Sequence, residues 1–314
     1  MRIPGEPAMS WRRRLRTLGE RGLIASGVST IARAARRDDV LVLAYHDIVP
    51  AGAEPCGDRS LHLAQEAFAA QLDWLLEGYD VVPLERALGD ADSAPDRPRV
   101  AITFDDAYRG AVTAGVHELV HRGLPATIFV APAFVGGRTF WWDALARPDA
   151  AELDESERRH ALDALRGADD HVRAWMRDSG RIEQSLPDYA TCAAEAELCA
   201  AASQPGIALG SHTWSHPNLT RLEAAELRDE LARPLAWLEQ RFARVSRCLS
   251  YPYGSYDAKV VAAAKDVGYR TALRIDGGWM RGAVRDPFAL PRLNVPAGLS
   301  MDGFVLRTAG LLCR

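Results

Sequence analysis

Two carboxylates stand side by side, Asp105 and Asp106, just after the apolar run Val100-Ala-Ile-Thr-Phe104. Adjacent side chains at a strand end point to opposite sides. One acid can then hold a cation while the other acts as a base. Taken alone, such a pair equally suits a loop or a helix cap. Two imidazoles stand four apart in Ser211-His212-Thr-Trp-Ser-His216-Pro217. If the backbone turns between them, both reach one cation, although histidines at this spacing are also common on surfaces and in cores. His46 ends another apolar run, within Tyr45-His46-Asp47, either as a site residue or as a strand histidine satisfied by its neighbours. Ser250-Tyr-Pro252-Tyr253-Gly254 closes a further run. Pro252 and Gly254 favour a tight turn, which is either structural or turns a backbone amide toward a cleft to hold an oxyanion. Two histidines and one aspartate leave coordination positions open for water and substrate, as a catalytic metal site requires.

These residues need a scaffold that brings strand ends together. Seven strand-like runs recur: residues 40–49, 100–104, 126–130, 207–210, 248–251, 270–275 and 290–295. Short apolar runs bounded by turns suit strands buried on both faces of a parallel sheet. Helical stripes lie between them. Phe68, Leu72, Leu75 and Leu76 share a face that ends at Gly78, and Leu227, Leu231, Leu235, Leu238 and Phe242 form another, expected to kink at Pro234. Thr220-Arg-Leu-Glu223 reads as a capping box, and Ser300 as the cap of a last helix. Strands alternating with helices predict a parallel barrel or a doubly wound sheet. In a parallel barrel the C-terminal strand ends carry the catalysis, and every motif above sits at such an end. Residues 144–203 break the rhythm and predict a helical insertion.

The chain has 314 residues, 48% hydrophobic and 25% charged, with a net charge of −4. This composition excludes a disordered chain, a collagen-like chain and a multi-span membrane protein, and gives no argument for a nucleic-acid partner. Residues 1–37 carry nine arginines and two glutamates, so a basic N-terminal arm of +7 precedes an acidic body, residues 38–314. The arm's apolar stretch, residues 22–32, is too short to span a bilayer and too poor for a signal peptide. Trp11, Leu15 and Leu18 would share one helical face, and Ile24, Val28 and Ile31 another, with a break at Gly22. Such an arm either contacts an anionic membrane surface or packs on the body. A cytoplasmic location is expected, membrane-peripheral if the arm makes that contact. Five cysteines without a CxxC pair read as free thiols.

Together, Thr103-Phe-Asp-Asp-Ala-Tyr108, Ser211-His-Thr-Trp-Ser-His-Pro217 and Tyr251-Pro-Tyr-Gly254 resemble the motifs of the NodB-homology polysaccharide deacetylases, carbohydrate esterase family 4. The resemblance covers about residues 38–300, apart from the insertion. It implies a distorted (β/α)7 barrel and a divalent cation, usually zinc. By that resemblance Asp106, His212 and His216 match the metal ligands and Asp105 the catalytic base. The sequence also departs from the family. Ser250 stands where most members have an arginine, Ala107 where most have glycine, and no histidine follows His216. Tyr45-His46 resembles a subgroup acting on poly-N-acetylglucosamine, whose acid histidine lies on the first strand. Arg292, in Leu290-Pro-Arg-Leu-Asn-Val295, is expected to orient Asp105 in place of the missing arginine.

The reaction these assignments imply removes acetyl from an N-acetylated glycan or glycan precursor. The cation would polarise the acetyl carbonyl and acidify water, and Asp105 would take the water proton. The Tyr253 backbone N–H would help hold the oxyanion, with Pro252 fixing its turn. His46 would protonate the departing amine. Trp141, Trp142, Trp214 and Trp279 are candidate sugar-stacking surfaces. Hydrolysis of another amide or an O-acetyl ester on the same site is the alternative chemistry, and an inactive sugar-binding scaffold the alternative class.

Overall fold

Runs that are apolar at nearly every position form strands covered on both faces, and β1 (Val40–Tyr45) is buried along its whole length. The structure, a computed structural model, describes residues 19–89, 96–146, 154–281 and 286–312. The remaining strands among these residues are β2 (Asp47–Val49), β3 (His62–Ala64), β4 (Asp80–Val81), β5 (Arg99–Phe104), β6 (Ala126–Val130), β7 (Ile207–Ser211), β8 (Val245–Ser250), β9 (Thr271–Leu273) and β10 (Leu293–Asn294). The main sheet runs β10-β1-β5-β6-β7-β8-β9, every pair parallel, with β4 added beside β5. Leu290 bridges Leu273 of β9, while Leu293 and Asn294 pair with Leu43 and Ala44 of β1. The segment 290–294 therefore touches both edges, and the sheet curls into a barrel of the kind expected. Its interior and the helix layer share one large apolar core that includes Leu41, Leu43, Ile102, Phe104, Ile128 and Leu209.

Several elements differ from the expectation. The run 40–49 is not one strand, because the chain changes partner at His46. The Tyr45 carbonyl accepts the Asp105 N–H (2.9 Å), whereas the Asp47 N–H donates to Leu61 (3.1 Å). β2 thus leaves the barrel to pair with β3, and His46 is left at the rim between them. The helix Ala224–Arg241 starts beyond the predicted capping box. The Glu226 side chain accepts the Glu223 N–H instead, and Thr220 bonds to the Asn218 side chain. The helix continues through Pro234. The Ser300 hydroxyl does accept the Gly303 N–H (3.0 Å) and caps Met301–Thr308. Between β6 and β7 the chain forms the helices Trp141–Ala144, Glu155–Asp163, Asp169–Asp178 and Glu195–Ser203.

The described part of the basic arm packs on the body. Its helical stretch breaks at Gly27 (φ 74°), not at Gly22, since glycine alone adopts a left-handed φ without strain. Ser300 bonds to Glu20 (3.1 Å), Arg33 lies over Trp74 (5.4 Å) and Tyr79 (5.6 Å), and Arg36 lies over Trp279 (5.3 Å). Trp11, Leu15 and Leu18 fall outside the described residues. Among those described, no helix is long and apolar enough to cross a membrane.

Candidate active site

Register brings the motifs to one end of the barrel. Tyr45 pairs with Phe104, Val130 with Ser211 and Ser250 with Leu273, so the residues that follow leave the sheet at a common level. Six non-glycine residues among those described have positive φ, and five belong to the motifs: Asp106, Ala107, Thr213, His216 and Tyr253. A left-handed conformation costs about 1–2 kcal/mol per non-glycine residue, so its concentration here marks a backbone held by its surroundings. Ala107 (φ 50°) carries that cost where glycine would avoid it. Gly254 (φ 68°) cannot be replaced so cheaply, because an added Cβ would lie 2.6 Å from Ile275 Cγ2.

Asp106, His212 and His216 converge, all buried, with one ligand atom of each within 4.8 Å of the others. His212 Nε2 faces His216 Nε2 at 3.0 Å, and Asp106 Oδ1 lies 3.5 and 3.4 Å from the two. Donors at about 2.0–2.2 Å from a tetrahedral zinc stand roughly 3.3–3.6 Å apart, close to this spacing. His212 Nδ1 donates to the Ser250 carbonyl (2.8 Å), which turns the lone pair of Nε2 toward the centre. Asp106 Oδ1 has no hydrogen-bond partner among the described residues. Burial, with Asp105 and Asp143 nearby, pushes the Asp106 carboxyl well above its ordinary value, and burial pushes both imidazoles below theirs. Neutral imidazoles and a carboxylate in need of positive charge fit a divalent cation.

Asp105 is set apart from that centre by its partner. Arg292, fully buried, donates through Nη1 to Oδ1 (2.8 Å) and through Nη2 to Oδ2 (2.7 Å), and Ser250 Oγ donates to Oδ1 (3.1 Å). Nη2 also reaches Ser250 Oγ (2.9 Å) and Nη1 reaches Thr103 Oγ1 (3.2 Å). Burial opposes the charge of Asp105, but the Arg292 guanidinium outweighs it and holds the carboxyl well below the usual carboxylate range. Arg292 therefore stands where the sequence expected a substitute for the missing arginine. The turn Pro252–Gly254 is closed by Gly254 N–H to Tyr251 and Ser255 N–H to Pro252, which leaves the Tyr253 N–H outside the turn's own bonds.

A cavity of about 220 Å³ opens on these groups, lined among others by His46, Asp105, Asp106, His212, His216, Tyr253 and Asn294. A larger one, about 670 Å³, lies at the other end of the strands and has no histidine in its wall. Chemistry, not size, selects the smaller. Of the four candidate tryptophans only Trp142 lines it. Trp279 is not a site residue: it precedes Met280, which bridges the opening residue of β1, and its ring stacks on Tyr79 at the far end of the barrel. Trp214 lies under the Arg233 guanidinium (3.9 Å), and Trp141 is buried with its N–H directed to the Tyr253 hydroxyl (3.3 Å).

The sequence model of the polysaccharide deacetylase family matches residues 92–272, more than half of the chain. The chain belongs to the polysaccharide deacetylase family. Members of this family are hydrolases of carbon–nitrogen bonds other than peptide bonds. YxkH of Bacillus subtilis (strain 168), whose provisional name is polysaccharide deacetylase, is 25% identical over 268 residues, 84% of this chain and 74% of its own. The fold is similar to that of the Streptococcus pyogenes deacetylase PplD in complex with acetate (TM-score 0.58, 18% identity, 86% of this chain and 98% of that one). It is similar also to a de-N-acetylase from Aggregatibacter actinomycetemcomitans (TM-score 0.60, 15% identity, 85% and 98%).

Around this site the structure shows supports that the sequence reading missed. Glu230, on the helix Ala224–Arg241, accepts the N–H groups of Trp214 (3.0 Å) and Ser215 (2.8 Å) and the Ser215 hydroxyl (2.6 Å), holding the turn between the two histidines. Deeper in, His62 lies between two carboxylates, Nδ1 to Asp47 (2.8 Å) and Nε2 to Asp143 (2.9 Å), all inaccessible to solvent. Tyr108 donates to Asp143 and accepts from Trp142 Nε1 (2.9 Å), so the trio props the tryptophan that walls the cavity. No short-range pattern announces this set, since 81 residues separate His62 from Asp143. Burial disfavours the imidazolium, but the flanking Asp143 and Asp47 outweigh it and raise the His62 pKa well above 6.5. His62→Ala is expected to cost about 3–5 kcal/mol, as for a broken buried ion pair. Urea unfolding of both proteins checks it. The folded-state pKa is the higher one, so the stabilisation is full below the unfolded value and declines as pH rises through the folded one. The deficit of the variant should therefore shrink in alkaline buffer.

Proposed function

We propose that this chain removes the acetyl group from an N-acetylated sugar of a polysaccharide, oligosaccharide or glycan precursor, with a divalent cation, zinc by donor set, held by Asp106, His212 and His216. The observation that carries the reading is the contrast between the neighbouring carboxylates. Asp106 is orphaned among two neutral imidazoles, while Asp105 is bound bidentately to a buried arginine. A bound cation supplies Lewis acidity toward a carbonyl oxygen and toward water. The residues of the chain do the rest. Asp105 stays ionised across the neutral range and takes the proton of the attacking water. Arg292 and Ser250 fix its orientation. The Tyr253 N–H, aimed by the strained turn, donates to the oxygen that becomes negative. His46, at the cavity wall, passes a proton to the nitrogen as the C–N bond breaks. An amine is too basic to leave without one. Trp142 offers an apolar face to the sugar.

The test is acetate release over chitooligosaccharides, poly-N-acetylglucosamine, peptidoglycan fragments and lipid-linked N-acetyl sugars. Turnover of at least one class is expected. Metal bound stoichiometrically with no acetate from any of them would favour an inactive scaffold.

Contact with an anionic membrane through residues 1–37 belongs to the same reading. Leu23 (43% exposed) and Ile31 (70%) project from the packed part of the arm, and residues 1–18 add five arginines against one glutamate, net +4. Deleting residues 1–18 is expected to weaken binding to phosphatidylserine vesicles and to leave turnover of a short soluble substrate unchanged. Equal vesicle binding by both proteins would remove the membrane contact.

A further inference from the structure

Three cavity-lining residues carry a buried polar atom with no hydrogen-bond partner among the described residues: Asp106 Oδ1, His216 Nδ1 and Asn294 Oδ1. The first two belong to the metal centre. Asn294 does not, and none of its neighbours in the fold answers it. It sits on β10 opposite Ala44 of β1, two residues before His46, so the Asn294 side chain and the imidazole share one sector of the wall. A buried carbonyl oxygen without a donor is costly and calls for an explanation. In a cavity built to hold a substrate, the missing donor is the substrate's.

We propose that Asn294 is a specificity-determining residue whose Oδ1 accepts the hydrogen bond of the acetamido N–H, so that the site distinguishes an N-acetyl group from an O-acetyl one. This rests on the deacetylase reading and deepens it. The nitrogen that must receive a proton from the His46 side has to lie in that sector of the cavity. Its own N–H then points toward the strand wall that holds Asn294. An ester has no hydrogen at the equivalent atom and leaves the Asn294 oxygen unpaired. Sites that hydrogen-bond a substrate N–H reject analogues that lack it far more strongly than apolar pockets reject a missing methylene.

The experiment compares wild type with Asn294→Leu, a near-isostere without the acceptor, on three matched sugars: 2-acetamido, 2-(N-methylacetamido) and 2-O-acetyl. Wild type is expected to favour the acetamido sugar over its N-methyl analogue by about 10- to 100-fold in kcat/KM, the range for one buried polar contact. Asn294→Leu is expected to lose that factor on the acetamido sugar alone and to keep its metal and its rate on the ester. Equal losses on all three sugars, or no loss on any, would overturn the assignment. Calorimetric binding of the acetamido and N-methyl sugars to both proteins separates this question from catalysis. If wild type releases no acetate but binds the N–H sugar more tightly and Asn294→Leu does not, the deacetylase reading fails while the contact stands. If wild type binds both sugars equally, the contact fails whatever the turnover.

Discussion

His212→Ala is expected to lose the bound divalent cation and, with it, more than about a thousandfold in acetate release. The substitution removes one of three ligands and the bond from Nδ1 to the Ser250 carbonyl that fixes the ring. Asp106 and His216 remain, and two ligands hold a divalent cation poorly. Arg292 still grips Asp105 through both carboxylate oxygens without that ring, so base and fold should survive without the centre. Elemental analysis after dialysis measures the first effect and acetate release the second. A variant that keeps one full metal equivalent at this site would overturn the ligand assignment.

His46→Ala is expected to keep metal and fold and to lose turnover of an N-acetyl sugar by about a hundredfold or more, the scale of general acid catalysis. Burial holds the imidazole down at about 4, against a raising influence from Asp105. His46 is therefore neutral in the free protein at pH 7 and must take up a proton, which the overall reaction supplies from the attacking water, before it can give one to the departing amine. The loss in His46→Ala should be smaller for an activated aryl acetate, whose leaving group needs no proton. Equal losses on amide and activated ester would show that His46 positions substrate and donates nothing.

The parts of the site that the sequence made legible are those fixed by local geometry. Asp105 and Asp106 end one strand, and His212 and His216 lie on one turn after another, so spacing alone restricts where they can point. Arg292 was reachable through strand position, because the last strand must neighbour the first when the sheet closes, and the structure places it on Asp105 at 2.7 Å. What was not legible depends on contacts across the fold. Trp279 is an aromatic residue near a strand, and nothing in its neighbours tells which end of the barrel it occupies. The change of partner at His46 depends on β3, whose His62 pairs with Asp47 fifteen residues before it and which alternates too briefly to be recognised as a strand. His62, Asp143 and Glu230 are polar residues in otherwise ordinary segments, and only tertiary contact makes them supports. Asn294 becomes notable solely because its oxygen is buried and unanswered.

The central claim is that hydrolysis of an N-acetyl group here needs both the Asp-His-His centre and the Asp105 carboxylate. The most direct measurement follows acetate and new amine together, from an N-acetylglucosamine oligomer, with metal-stripped protein before and after zinc is restored. The account predicts no release from stripped protein, equal amounts of acetate and amine once one equivalent is bound, and neither product from zinc-loaded Asp105→Asn. Undiminished release by stripped protein, or full release by zinc-loaded Asp105→Asn, would contradict it.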